Sequence, residues 1–378
     1  MPSAPWNLAA LSAVPSFTVD AERSTDDVTA VFYDGIAYRG KPTRVFAYYA
    51  IPKLRPGETC PAMVLVHGGG GSAFSAWVKL WLSRGYAAIA MDTCGCISGE
   101  GYLNHPRHEQ GGPQGWGDFD NVDEPPGDQW TCHAVADVIL AHSLIRSMPG
   151  VDPQRVGITG VSWGGYLTCI TAAIDSRFRF AAPVYGCGFL GDNSAWLDQF
   201  TKMGDDKASR WLAMWDPSVH LSRAAMPMLW VTGTNDFAYP MDSLQKSYRL
   251  PASPRTLCIR VNMPHGHGPV SEAPEEIHAF ANALFKHAAP LPRITATGRD
   301  GANAWLSYAS DTPIRTAEFN YTTDVGPWQQ REWKTLPASL DTTRHRATAA
   351  LPAGTTVYYF NLIDTRDLIV SSEHEVLP

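Results

Sequence analysis

Val156-Gly157-Ile158-Thr159-Gly160-Val161-Ser162-Trp163-Gly164-Gly165 is an apolar run that ends on a glycine-flanked serine. The run Arg155 to Thr159 reads as a buried strand, and Tyr166 to Ile174 reads as a helix. Ser162 therefore sits on a tight strand-to-helix turn. Such a turn needs minimal side chains two residues either side of the serine, and Gly160 and Gly164 supply them. A serine held this way stands clear of its own backbone as a nucleophile. The helix behind it points free N–H groups and a positive dipole end at any negative charge that develops there. The plainer alternative is a glycine-rich turn whose serine caps a helix.

Working outward, strand and helix alternate up to about His287. Thr29 to Tyr38 and Arg44 to Pro52 read as an antiparallel hairpin. Ala62 to Val66, Tyr86 to Met91, Phe178 to Tyr185, Met228 to Thr232 and Thr256 to Val261 read as strands. Phe74 to Ser83, Trp130 to Met148, Ser243 to Arg249 and Glu275 to Lys286 have helical spacing. This alternation predicts an α/β fold with a mostly parallel sheet covered on both faces, its site at the carboxyl ends of the strands. After Ala288-Ala289-Pro290-Leu291-Pro292 the texture changes to short alternating runs: Ile294 to Thr297, Ala304 to Tyr308, Thr316 to Tyr321, Arg331 to Leu336, Arg344 to Ala350, Val357 to Leu362 and Leu368 to Ser372. They predict an all-β, immunoglobulin-like sandwich. The expected division is 1–290 for the α/β domain, with insertions at about 96–128 and 189–221, and 291–378 for the sandwich. The short connector holds two prolines and is stiff, so the sandwich should dock on the first domain. Trp305, Trp328 and Trp333 can anchor that interface; the alternative is a carbohydrate-binding surface.

The chain of 378 residues has 13 Trp, 14 Tyr and 14 Phe, ample for a large core. A net charge of −7 without long runs points away from nucleic acid or an anionic membrane as partner. No stretch is long and apolar enough to span a bilayer. Leu8 to Val14 makes a poor signal peptide, having no Lys or Arg before it. The expected location is cytoplasmic, or outside the cell as a mature secreted form. Seven cysteines are an odd number in a large chain, and no disulfide framework is required. Cys94, Cys96, His105 and His108 could be read as zinc ligands, but a second Cys-x-x-Cys pair is missing, and no metal or other cofactor is expected.

Ser162 needs a base, and two histidines offer one in Pro264-His265-Gly266-His267-Gly268. His267 is favoured because glycine on both sides makes an exposed, mobile loop tip; His265 is its competitor and otherwise a substrate-binding residue. The base needs a carboxylate to fix its tautomer, and Asp236 follows the strand Met228 to Thr232. A turn aspartate after glycine is the plainer reading. The oxyanion needs two backbone donors. Trp163, directly after the serine, supplies one; the other should come from the glycines after His67, with Gly69 first and Gly68 and Gly70 next. No Gly-Lys-Ser/Thr follows those glycines, so a phosphate-cradling loop is excluded.

With these residues in place, the chain resembles the α/β-hydrolase superfamily over roughly residues 25 to 290. The order Ser162, Asp236, His267 is the superfamily's order. The stretch Val151 to Gly165 is similar to the prolyl oligopeptidase, dienelactone hydrolase and acetyl xylan esterase branch. The resemblance implies acyl transfer to water through an acyl-serine intermediate. It also implies differences. Cephalosporin C deacetylase-type esterases carry Arg-Gly-Gln where this chain has Asp92-Thr93-Cys94-Gly95-Cys96, and their His-Glu pair corresponds to His267-Gly268.

The two insertions should build the substrate pocket, with Trp116, Trp196 and Tyr239 as binding residues. Their aromatics suit a sugar ester or aromatic ester; a lid with its own small core explains any single Trp equally well. The expected substrate is a small-molecule or carbohydrate ester. A peptidase of the prolyl oligopeptidase type is the first alternative, and a non-catalytic binding protein on the same fold the second. The oligomeric state is open.

Overall fold

The computed structural model describes residues 5–117 and 119–378. The first four residues of the N-terminal stretch and Asp118 of the first insertion lie outside them.

The first nine strands are β1 Phe17–Asp20, β2 Thr29–Asp34, β3 Arg44–Ala50, β4 Cys60–Val66, β5 Ala87–Met91, β6 Val151–Val161, β7 Phe180–Val184, β8 Met228–Gly233 and β9 Arg255–Arg260. They line up as β1-β2-β3-β5-β4-β6-β7-β8-β9. The first three are antiparallel, and β3 meets β5 antiparallel. From β5 to β9 every pairing is parallel. The sheet is therefore mixed, with the parallel part that the alternation predicts. Strands β4, β5, β7 and β8 are buried at every position, as unbroken apolar runs must be when helices cover both faces.

The chain runs β4 then β5 on one side, and returns to β6 on the other side of β4. That reversal opens a crevice at the carboxyl ends of β4 and β6. His67 and the glycines leave β4 there, and Ser162 leaves β6. The helix behind the serine, Trp163–Ile174, is buried at all twelve positions.

The tail adds β10 Arg293–Asp300, β11 Asn303–Ala309, β12 Ile314–Thr322, β13 Lys334–Pro337, β14 Ser339–Asp341, β15 Arg346–Ala350, β16 Val357–Asp364, β17 Ile369–Ser371 and β18 Glu375–Val376. The seven runs read from sequence are all present as strands; β14 and β18 are additional. The order β17-β16-β12-β13 continues the central sheet beyond β9, through the pair Ser371 and Leu257. Only β10-β11-β15-β14 form a second sheet. The two sheets enclose a core of their own, including Leu306, Phe319, Ala347 and Phe360. Other tail residues belong to the main core: Trp333, Val357, Tyr359, Leu368 and Val370. The tail is thus docked, as the stiff connector predicts, but it shares a sheet with the first unit.

Hydrogen bonds deepen that junction. The Ile259 amide donates to Ser371 Oγ at 2.7 Å, the Ile369 amide to Glu276 Oε1 at 3.0 Å, and Asn235 Nδ2 to the Arg331 carbonyl at 2.7 Å. The last ties the residue before Asp236 to the tail. Trp333 anchors the interface and Trp328 packs on His374, whereas Trp305 lies under the Arg346 guanidinium on the outer sheet.

Several histidines are buried in these layers. Burial holds His67, His133, His142 and His220 down to about 4, and His374 to about 3, from an ordinary 6.5. The folded chain keeps them neutral where the unfolded chain takes up protons. Between pH 6.5 and about 4 the unfolded state binds more protons, so stability falls as pH falls. Thermal melts should show Tm dropping steadily across that window. A Tm that stays level from pH 6.5 to 4.5 would contradict the buried neutral histidines.

Candidate active site

The backbone of the turn is unusual in the way the chemistry requires. Ser162 has φ 59° and ψ −118°, a conformation that side chains rarely adopt. Its amide donates to the Val184 carbonyl at 2.8 Å, and its carbonyl accepts from Tyr166 at 2.9 Å. Gly160 and Gly164 face each other: a Cβ on Gly160 would lie 2.3 Å from the Gly164 carbonyl oxygen. A Cβ on Gly164 would lie 2.0 Å from the Val66 carbonyl oxygen of β4. The glycine spacing thus reflects direct backbone contact.

Ser162 Oγ lies 2.8 Å from His265 Nε2, and His265 Nδ1 lies 2.7 Å from Asp236 Oδ2. The structure joins Ser162 to Asp236, but through His265 and not His267. The expectation that His267 is the base is corrected here, and with it the assignment of His265 to substrate binding. Glycine flanks do not decide the base; residues from other segments hold His265 against the serine. The preceding Pro264 offers its carbonyl to Tyr185 Oη at 2.6 Å, and the Tyr185 ring stacks on the His265 ring with centroids 4.5 Å apart. Phe237 packs on the imidazole at 4.7 Å. The rigid Pro264-His265 pair, five residues beyond the end of β9, was the available sequence signal.

Asp236 is buried and well satisfied. Its Oδ1 accepts from the Ala238 amide at 3.0 Å and the Tyr239 amide at 2.7 Å. Its Oδ2 is left to receive His265 Nδ1–H, which fixes Nε2 as the acceptor facing Ser162.

His267 Nε2 accepts instead from the Gly68 amide at 2.8 Å, and its Nδ1–H donates to Glu272 Oε1 at 2.9 Å. Glu272, the last residue of the short helix Pro269–Glu272, is buried, although from the sequence alone it reads as a solvated acidic surface position. His67, also missed, is buried: Nδ1–H donates to the Gly68 carbonyl at 2.9 Å, and Nε2 accepts the Thr93 amide at 3.0 Å.

The glycine loop lies against the elbow. A Cβ on Gly68 would sit 3.1 Å from Ser162 Cβ, and one on Gly69 would sit 2.9 Å from Trp163 Cδ1. Among the described residues the Gly69 amide has no hydrogen-bond acceptor, whereas that of Gly68 is taken by His267.

The aromatic residues of the insertions divide. Phe200, Trp211 and Trp215 are buried, with Trp211 Nε1 donating to the Gly117 carbonyl at 2.9 Å and Trp215 Nε1 to Gln129 Oε1 at 2.7 Å. The two insertions therefore pack on one another through a small core. Trp196 is partly buried 4.6 Å from Trp163, and Trp116 lies 5.9 Å from His67. Tyr239 is fully buried behind Trp196, so it offers no surface to a substrate, contrary to expectation. A cavity of about 290 Å³ beside the glycine loop is lined by Gly70, Gly71, His105, Arg107 and Trp116. Phe237, 59% exposed, and Tyr102, 44% exposed, stand at the rim of the site. Among the described residues no group of three or more His, Cys, Asp or Glu side chains could hold a metal ion. His105 Nδ1 accepts the Gly99 amide at 2.9 Å, and His108 packs on Phe32. No helix among them is long and apolar enough to cross a membrane.

A model of the acetyl xylan esterase family matches residues 8–238. The chain belongs to the acetyl xylan esterase family. Members of that family are serine carboxylic ester hydrolases on the α/β-hydrolase fold. A second family model, that of PhoPQ-activated pathogenicity-related protein, matches residues 195–326. Among solved structures, an acetyl xylan esterase from Paenibacillus sp. R4 is similar at TM-score 0.60 and 23% identity, covering 74% of this chain and 92% of that one. Acetyl xylan esterase 1 from Thermoanaerobacterium sp. JW/SL YS485 gives 0.54 and 18%, covering 71% and 91%. At these identities the likeness establishes the fold. A curated relative, the uncharacterized peptidase YuxL of Bacillus subtilis (strain 168), is 28% identical over 136 residues. The match covers 34% of this chain and 18% of that relative.

The contact between Gly164 and β4 generates a prediction. Gly164→Ala must push the elbow helix off β4, costing about 3 kcal/mol or more, the upper end of ordinary overpacking. The variant should be poorly soluble or melt well below the wild type. A soluble Gly164→Ala protein with an unchanged Tm would contradict the close approach.

Proposed function

We propose that this chain hydrolyses small acyl esters, acetylated sugars foremost, through an acyl-Ser162 intermediate. The observation that carries the reading is the hydrogen-bonded line from Ser162 Oγ through His265 to the buried Asp236. Family membership supports the ester class.

In this mechanism Ser162 Oγ attacks the acyl carbonyl carbon while His265 Nε2 takes its proton. Asp236 holds Nδ1–H and stabilises the imidazolium. The Trp163 amide, at the first turn of the elbow helix, and the free Gly69 amide receive the oxyanion. As the tetrahedral adduct collapses, the C–O bond to the alcohol breaks and His265 returns its proton to the leaving oxygen. Water, activated by the same histidine, then attacks the acyl-serine and releases the acid. No step calls for a metal, so hydrolysis should survive EDTA.

The rim favours an alcohol with a flat or apolar face: Phe237 and Tyr102 are exposed beside the two histidines. Trp116 and Trp196 are the remaining candidates for substrate contact. We read residues 1–290 as the catalytic domain and residues 291–378 as an immunoglobulin-like sandwich. The sheet shared through β9 and β17, and the bond from Asn235 to the tail, favour a supporting role for that sandwich over a targeting one. A peptidase of the prolyl oligopeptidase type is the second reading, supported by the curated relative's description.

Kinetics on p-nitrophenyl acetate, acetylated xylo-oligosaccharides and aminoacyl anilides test this. Ser162→Ala and His265→Ala should each lower kcat by roughly 10⁴ to 10⁶, and Asp236→Asn by roughly 10⁴. Ester turnover near the wild-type rate in any of the three contradicts the triad. Anilide turnover exceeding that of every ester makes the protein a peptidase.

A further inference from the structure

We infer that His267 is a positioning residue for the oxyanion loop, acting through the Gly68 amide and held in turn by Glu272. The inference rests on the ester-hydrolase reading and adds to it a residue with no part in proton transfer.

The loop Gly68-Gly69-Gly70-Gly71 has no side chain with which to hold itself. Glycine loses more conformational freedom on ordering than any other residue; within the loop the Gly71 amide donates to the Gly68 carbonyl at 3.1 Å, and side chains from outside supply further fixing. The structure places a hook on each side of the Gly68 residue. His67 Nδ1–H donates to its carbonyl at 2.9 Å, and His267 Nε2 accepts its amide at 2.8 Å. The next amide is that of Gly69, which keeps its proton free beside the elbow.

His267 is itself fixed. Since Nε2 accepts, the ring proton lies on Nδ1, and Glu272 Oε1 receives it at 2.9 Å. That oxygen also accepts the Gly268 amide at 3.2 Å, and the Glu272 carbonyl takes the Trp77 indole N–H at 3.0 Å. Phe74 packs edge-on at 4.8 Å, and Tyr102 of the first insertion stacks on the ring at 5.6 Å and 14°. Two carboxylate–histidine pairs thus lie two residues apart. His265 with Asp236 faces the serine, and His267 with Glu272 faces the loop opposite it.

Two amide substitutions separate this role from packing. In His267→Gln the side-chain amide reaches the place of Nε2, so its oxygen can accept Gly68 N–H. In His267→Asn it reaches only the place of Nδ1, keeping the contact with Glu272 but losing Gly68. With p-nitrophenyl acetate, His267→Asn should lose about a hundredfold in kcat, the scale of one oxyanion donor. Its KM should stay within about threefold, because the donor acts on the transition state. His267→Gln should recover most of that loss, and the two variants should share one Tm. The rate at which a fluorophosphonate labels Ser162 should follow the same ranking, since its phosphoryl oxygen occupies the same hole. Should His267→Asn fail to fold, Glu272→Ala serves instead: the unfixed ring should cost at least about tenfold in kcat with KM held. Equal kcat for the Asn and Gln variants, or unchanged kcat in Glu272→Ala, overturns the positioning role and leaves the esterase standing. A wild-type protein that is neither labelled at Ser162 nor active on any ester overturns both.

Discussion

The elbow helix lies so close to β4 that only a hydrogen atom fits at position 164. That contact, 2.0 Å from an added Cβ to the Val66 carbonyl oxygen, sets the rest of the site. It forces the chain to leave β6 through a left-handed serine, which lifts Oγ out of the backbone. It puts the first amides of a buried helix beside the loop that leaves β4. The topology then brings the ends of β8 and β9 round to the same crevice, where Asp236 and His265 can reach the serine.

Around that constraint the sheet does more than scaffold. It passes from antiparallel strands at its start, through the parallel catalytic strands, into the tail without a break. β17 lies on the edge of β9, the strand whose following loop carries both histidines. The residue before Asp236 is tied to the tail as well. A cleft of about 630 Å³ lies at that junction, between β9, β10 and β17, and none of Ser162, Asp236 and His265 lines it. The tail thus meets the α/β unit next to the loops that carry Asp236 and the two histidines.

Much of this was legible in the sequence because it is local. Gly160, Ser162 and Gly164 announce a turn that glycine alone permits, and helical or alternating apolar spacing marks the elements on either side. Asp236 and the paired histidines were legible as residues at strand ends. The choice between His265 and His267 was not. It depends on Tyr185, Asp236, Gly68 and Glu272 arriving from four separate segments, and local glycine content argued for the wrong member. Tyr239 was misjudged for a related reason: proximity in sequence to Asp236 says nothing of the Trp196 ring that covers it. The tail strands were found from their alternation, but which sheet each would join is decided by partners more than a hundred residues away, such as Leu257 for Ser371.

The proposed mechanism requires that His265, and not His267, activates Ser162. Peptide mapping after fluorophosphonate labelling tests it most directly. A single adduct is expected, on the peptide bearing Ser162. Labelling should be abolished in His265→Ala and slower but still present at Ser162 in His267→Asn. An adduct on another residue, or His265→Ala labelling as fast as the wild type, would contradict it.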